Sequence, residues 1–187
     1  MNLPWGNERT IQFITNVGLI TSFGPHGNNI MACEWTHHIS YNPGLIAICI
    51  GFKKATLENI EKTKEFGVNL ASIEQSVMAS ISGVYSGKQF DKISSLKELG
   101  FKFYQGKKIK PLMVKDTALN LECKLIKKNT LGDHVMLVGE VLEASFSGKE
   151  PLAYHKGKYW KLEKNIEKPQ EKELEKIKEI VAKHKKK

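Results

Sequence analysis

No apolar run in the 187 residues is long enough to cross a membrane as a helix, and the opening Met-Asn-Leu-Pro-Trp-Gly lacks the regions of a secretory leader. Cysteine is scarce. Cys33, Cys49 and Cys123 are odd in number, far apart and set among apolar or strand-forming neighbours. They suit reduced, buried thiols in a cytoplasmic protein and neither a disulfide framework nor a zinc site. No G-x-G-x-x-G opens a helix after a strand, so a Rossmann dinucleotide fold has no support. Helix-turn-helix, zinc-finger and aromatic RNA-binding patterns are missing, which argues against nucleic acid as a partner despite a net charge of +9. There is no internal repeat, and no nucleophile–base pair stands out.

What is present divides in two. Residues 161–187 hold 10 Lys against 6 Glu, and Pro169 there opens a helix with a narrow apolar stripe of Leu174, Ile177 and Val181. The expectation is a basic helical tail docked on a domain spanning residues 1–160. That domain keeps a net charge of +5, which suits phosphates and dinucleotides. Apolar residues at Ile11, Phe13, Val17, Leu19 and Phe23 predict one alternating strand. Gly24 to Asn29 is a turn by composition, and Ile30 to Ser40 returns as a hairpin partner. Phe66 to Leu70 is a further short strand. Ser72 to Gln75 has capping-box form ahead of a helix, and Asp91 can cap another helix that closes at Gly100. Residues 101–116 look irregular. Leu119 to Leu125 and His134 to Phe146 predict an antiparallel hairpin, followed by a last short strand near Tyr159. The sum is a mainly β domain with α insertions, better suited to a small β-barrel than to a doubly wound sheet.

One stretch concentrates chemistry. Leu45 to Ile50 is continuously apolar and predicts a strand buried on both faces, ending at Gly51. Lys53 and Lys54 follow, then Thr56 as the expected N-cap of a short helix. A strand, a basic turn and a helix N-terminus bring free backbone N–H groups, a hydroxyl and two cations together, a plausible phosphate seat. An ordinary strand-to-helix connection with two solvated lysines is the competing reading.

The residues also carry a resemblance. Val17 to Ser22, Asn29 to Trp35, Asn42 to Gly51, Phe66 to Leu70, Ser86-Gly87 with Asp91-Lys92, Leu121 to Cys123, Gly132 to His134, Val138 to Val141, and Pro151 to Tyr159 resemble, in order and spacing, the flavin reductase-like family of FMN-binding split barrels, which includes the flavoredoxins. The resemblance implies a split β-barrel with a C-terminal helix, binding FMN as a homodimer in a cleft near the subunit interface. It implies that Asn29 and the segment Met31, Ala32, Cys33, Glu34, Trp35 and Thr36 lie beside the flavin ring. The turn Gly51, Phe52, Lys53, Lys54, Ala55 and Thr56 would hold the phosphate. Asn69, Leu70 and Ala71 would border the flavin. Ser86, Gly87, Lys88, Asp91 and Lys92 would approach the phosphate or the incoming nucleotide. His134 matches a histidine near the nicotinamide site of reductase relatives. Glu34 departs from the family's usual small hydroxyl residue, and a carboxylate there disfavours an anionic reduced flavin unless it points outward.

His37 and His38 adjoin in a strand and point to opposite faces, so they do not form a metal site, and no metal is expected. Trp35 is either core or a wall of the flavin pocket. Three functions follow. They are an NAD(P)H-dependent flavin reductase with NADH or NADPH as co-substrate, a flavoredoxin-type electron carrier with a ferredoxin-like partner, and a basic binding protein without redox chemistry.

Overall fold

The computed structural model describes residues 1–186. In chain order its strands and helices are β1 Thr15–Asn16, β2 Gly18–Ser22, β3 Asn29–Cys33, β4 Thr36–Tyr41, β5 Gly44–Gly51, α1 Ala55–Thr63, β6 Glu65–Leu70, α2 Ser76–Val84 and α3 Lys92–Glu98. Then come β7 Phe103–Gln105, β8 Leu112–Val114, β9 Leu119–Leu131, β10 His134–Phe146, β11 Ala153–His155, β12 Lys158–Trp160 and α4 Glu171–Lys183. Seven strands form one antiparallel sheet in the order β3-β2-β6-β9-β10-β5-β4. The chain is mainly β with inserted helices, as its alternating patterns and turn residues imply.

Two apolar clusters hold the sheet. Ile20, Ile48, Ile50, Phe66, Val68, Cys123 and Leu137 pack with Leu57 and Ile60 of α1 on one side. Leu19, Ile30, Met78, Ile93, Leu96 and Leu152 pack β2 and β3 against α2 and α3 on the other. Cover from both sides is why every residue of β2 is buried, and why reading the odd positions of one long strand as its buried face fails. Phe13 and Phe23 are exposed, and a single helical turn at Thr10–Gln12 replaces the start of that strand.

Other expectations also change. Ile30 to Ser40 is two strands, broken at Glu34-Trp35, where the chain leaves its pairing with β2 for a new one with β5. In β5 only Ile46, Ile48 and Ile50 are buried, while the alternate residues are half-exposed, so its apolar run is not buried on both faces. Thr56 is not an N-cap. Lys54 takes that position and Thr56 sits buried in the first turn. The basic segment 101–116 contains the β7–β8 hairpin. Its tip is fixed where Glu122 accepts the backbone N–H groups of Lys107 at 2.9 Å and Lys108 at 2.6 Å. Asp91 does cap α3, accepting the Ser94 N–H at 3.0 Å. The tail helix α4 forms, but none of its residues is buried, so it is not docked on the body.

Candidate functional site

The turn from β5 into α1 faces the loop that follows α2. Between them lies a cleft lined by Asn29, Met31, Lys54, Ala55 and Thr56 on one side and by residues 82–87 with Lys92 on the other. The geometry starts with α1, whose N-terminus no side chain caps. Thr56 Oγ1 accepts a hydrogen bond from Asn29 Nδ2 at 2.8 Å, which ties α1 to β3. Gly87 lets the opposite loop close over this pair, because a Cβ there would lie 2.6 Å from Asn29 Cγ.

Lys92 gives the cleft its electrostatics. Its residue is only 3% exposed, and Nζ donates to the Ser82 carbonyl at 3.3 Å. Among the described residues no carboxylate pairs with it or with Lys54. Burial, then the neighbouring Lys54 charge, push the Lys92 ammonium down from its ordinary value to about 8. Ser82 Oγ is also buried without a hydrogen-bond partner. A buried cation beside a second cation, an orphan hydroxyl and an uncapped helix N-terminus make the cleft chemically suited to an anion. The cleft is small, about 60 Å³.

Eight of the residues singled out in the sequence therefore meet here: Asn29, Met31, Lys54, Ala55, Thr56, Ser86, Gly87 and Lys92. Sequence reasoning missed Ser82 to Val84 at the end of α2 and Tyr85 in the loop that follows. The nearest signal was Gly83-Val84 at the end of α2. Lys88 lies at the rim and pairs with Glu58, which also meets His26 Nε2 at 2.6 Å. These two bonds hold the Glu58 carboxyl below the usual range. Asp91 faces α3 and does not line the cleft.

The other predicted residues lie around it. Ala32 and Cys33 continue β3, and Cys33 is buried, its thiol pushed up to about 11 by desolvation. Partial burial also raises the Glu34 carboxyl, and Glu34 in turn contributes to raising the Tyr154 phenol after desolvation. Strand register sets His134 opposite Gly51, at the start of the turn that carries Phe52, Lys53 and Lys54. Its ring packs on Trp35 with centroids 4.6 Å apart, and Nδ1 meets Asp133 Oδ1 at 2.7 Å. Trp35 is 52% exposed, a wall of this surface and no part of the core. Asn69 is committed elsewhere: it donates to the Leu19 carbonyl at 2.8 Å and accepts from the Val114 N–H at 3.0 Å. Leu70 and Ala71 continue from it, away from the cleft. His37 and His38 are exposed on β4, but their rings lie 4.9 Å apart and both line one groove, so the expectation that they point to opposite faces does not hold. Among the described residues no three His, Cys, Asp or Glu converge as metal ligands, and no helix is long and apolar enough to cross a membrane.

The chain is thus an antiparallel β domain with a basic cleft at a strand-to-helix turn, near an aromatic–imidazole pair. The flavin reductase like domain model matches residues 10–163, and the chain belongs to that family. An uncharacterised protein of Pyrococcus abyssi is 31% identical over 133 residues, covering 67% of this chain and 74% of that protein. The NADH-dependent FMN reductase SmoA of Agrobacterium fabrum is 24% identical over 148 residues, covering 79% of each. The crystal structure of flavoredoxin from Methanosarcina acetivorans superposes with a TM-score of 0.76 at 23% identity, covering 91% of this chain and 96% of that one.

Proposed function

We propose that the chain is an FMN-binding oxidoreductase that takes hydride from NADH or NADPH. The observation that carries this reading is buried Lys92, unpaired with any described carboxylate and next to Lys54 at the uncapped start of α1. Family membership supports reading the anion as a flavin phosphate, and the FMN reductase relative supports FMN as the flavin. Lys92, Lys54, Thr56 and the first N–H groups of α1 would hold that phosphate. The segment Met31 to Trp35 would border the ring, with Gly51 to Lys53 beside it. When bound, the flavin supplies the hydride acceptor. The protein needs no general base for that chemistry, and its part is to orient the two reactants and exclude water. His134, held by Asp133 and Trp35, is placed to position the nicotinamide.

The reading extends to architecture. The seven-stranded sheet curls into a split barrel over residues 1–160, with 161–187 as an appendage in a cytoplasmic homodimer. Exposed Phe13, Ile39 and Tyr41 favour a partner subunit. Sedimentation is expected to report a dimer at micromolar concentration, and a monomer that binds FMN stoichiometrically would contradict it. Gly87→Ala should displace Asn29 from Thr56 and weaken FMN by roughly three- to tenfold, the scale of one hydrogen bond, as read by flavin fluorescence quenching. Unchanged affinity would remove Asn29 from the site.

Likeness to a flavoredoxin supports a second reading, an electron carrier with a ferredoxin-like protein partner. Anaerobic addition of NADH or NADPH to FMN-loaded protein separates the two. The reductase reading expects the flavin to bleach. It also expects His134→Ala to slow bleaching while leaving FMN affinity nearly unchanged, because only nicotinamide positioning is lost. If dithionite or reduced ferredoxin bleaches the flavin and neither nucleotide does, the carrier reading replaces it. Binding of neither flavin nor nucleotide would leave the basic binding protein.

A further inference from the structure

The tail helix α4 has no buried residue. It lies beyond residue 163, where the match to the family ends, and residues 161–170 that lead to it are exposed throughout. Its apolar residues are nonetheless patterned. Leu174, Ile177 and Val181 recur at spacings of three and four, and Ile180 widens the stripe they make along one side. All four are exposed. A helix of 13 residues is marginal in water on its own, and helices in proteins draw most of their stability from packing an apolar face. α4 therefore needs a partner surface to persist.

The charges beside the stripe point to its partner. Glu171, Glu173 and Glu175 crowd the first half of α4, while Lys178 and Lys183 lie in the second, with Lys185 and Lys186 directly after it. Lys172, Lys176 and Glu179 are the exceptions. Two such helices packed in parallel would set their lysine-rich ends together. Packed antiparallel, each acidic half lies along the partner's basic half, and the two helix dipoles oppose. Glu171 and Lys178, seven residues apart, share one flank of the stripe. When Leu174 of one helix packs on Ile177 of the other, Glu171 of each faces Lys178 of its partner. The interspersed glutamates disfavour an anionic lipid surface or an acidic protein. We propose that α4 pairs antiparallel with α4 of a second copy of this chain. The inference rests on the homodimer reading given above. A pair this short is weak between free chains, whereas in a dimer the linker 161–170, about 33–36 Å when fully extended, keeps the second helix at an effective concentration on the order of millimolar.

The test is hydrogen exchange of the α4 amides in the full-length protein, with sedimentation of the same samples. Wild-type α4 should exchange at least about tenfold more slowly than an unstructured segment. Glu171→Lys and Lys178→Glu each set like charges against one another across the pair and should cut that protection about threefold or more. Joined in one chain, the two changes restore opposite charges and should return protection to near the wild-type value. Residues seven apart do not touch within one helix, so recovery beyond the sum of the single effects comes from the partner helix. Ile177→Asp, in the stripe itself, should abolish protection. An unprotected wild-type α4, protection that neither single change lowers, or a double variant weaker than both singles would overturn the proposal. So would protection gained only on adding anionic vesicles, which would give the stripe to a membrane. Rescue of Lys178→Glu by Glu173→Lys, and not by Glu171→Lys, would make the pair parallel and overturn it too. A dimer that fails these tests sinks the helix pair alone, whereas a monomer in sedimentation sinks the homodimer reading with it.

Discussion

Lys92→Met is expected to lower FMN affinity by roughly 30- to 100-fold while changing riboflavin affinity little. A hydrogen bond to a charged group contributes roughly 1.5–3 kcal/mol, and a buried one lies at the upper end. The variant keeps the side chain's length and removes a charge that is paired only when an anion is present. The protein without ligand should therefore become more stable. Its Lys92 is depressed to about 8 in the fold against an ordinary value near 10.4 when unfolded. Between those values the unfolded chain binds more protons, so stability rises with pH across that window. Below about pH 8 the buried charge imposes its full cost, and Met removes it. Ligand affinity runs the other way. A phosphate dianion favours the protonated amine, so FMN binding should hold below about pH 8 and weaken above it, and Lys92→Met should abolish that inflection. A variant that binds FMN as tightly as the wild type would remove Lys92 from the phosphate site.

The second large effect concerns the sheet. Gly139 sits at a register shift in the β9–β10 pairing, and a Cβ there would lie 2.8 Å from Phe66 Cε1 and 2.9 Å from Cys123 Cβ. Phe66 and Cys123 have no exposed surface, so neither can swing into solvent to make room. Gly139→Ala should cost about 1–3 kcal/mol of stability, at the upper end because the clash is with a ring and a backbone-proximal atom. Urea unfolding measures it. A variant as stable as the wild type would mean that the sheet opens at this bulge without cost.

The site was more legible than the strands that carry it. Lys53-Lys54 after an apolar run and before a helix suggested an anion seat without reference to any relative, with an ordinary connection as the alternative, and of the two Lys54 alone lines the cleft. The same sequence misled about Thr56, because a hydroxyl near a helix start signals a cap, whereas Thr56 lies inside the first turn with its hydroxyl turned to Asn29. Lys92 was picked out only through the family resemblance. Its burial at the start of α3 against Ser82 of α2 is a tertiary property with no local signature. Ser82 to Tyr85 were hidden for the same reason. Among the strands, β2 defeats period-two reasoning because helices cover its second face, whereas β9 and β10 were readable as a hairpin from their apolar content and the polar turn between them, although Asn120 to Cys123 and Leu137 to Gly139 are buried without alternation. The chain's turn at Glu34-Trp35 was invisible because both flanking segments are good strand sequence, and only the switch of pairing partner breaks them.

The central claim is that the cleft between α1 and the 82–92 segment holds the terminal phosphate of a flavin. Parallel titrations of flavin-free protein with FMN and riboflavin at pH 7, followed by quenching of flavin fluorescence, test it most directly. The account predicts FMN binding at least about tenfold tighter than riboflavin, since the two differ only in the phosphate and each tenfold is about 1.4 kcal/mol. Equal affinities for the two flavins would contradict it.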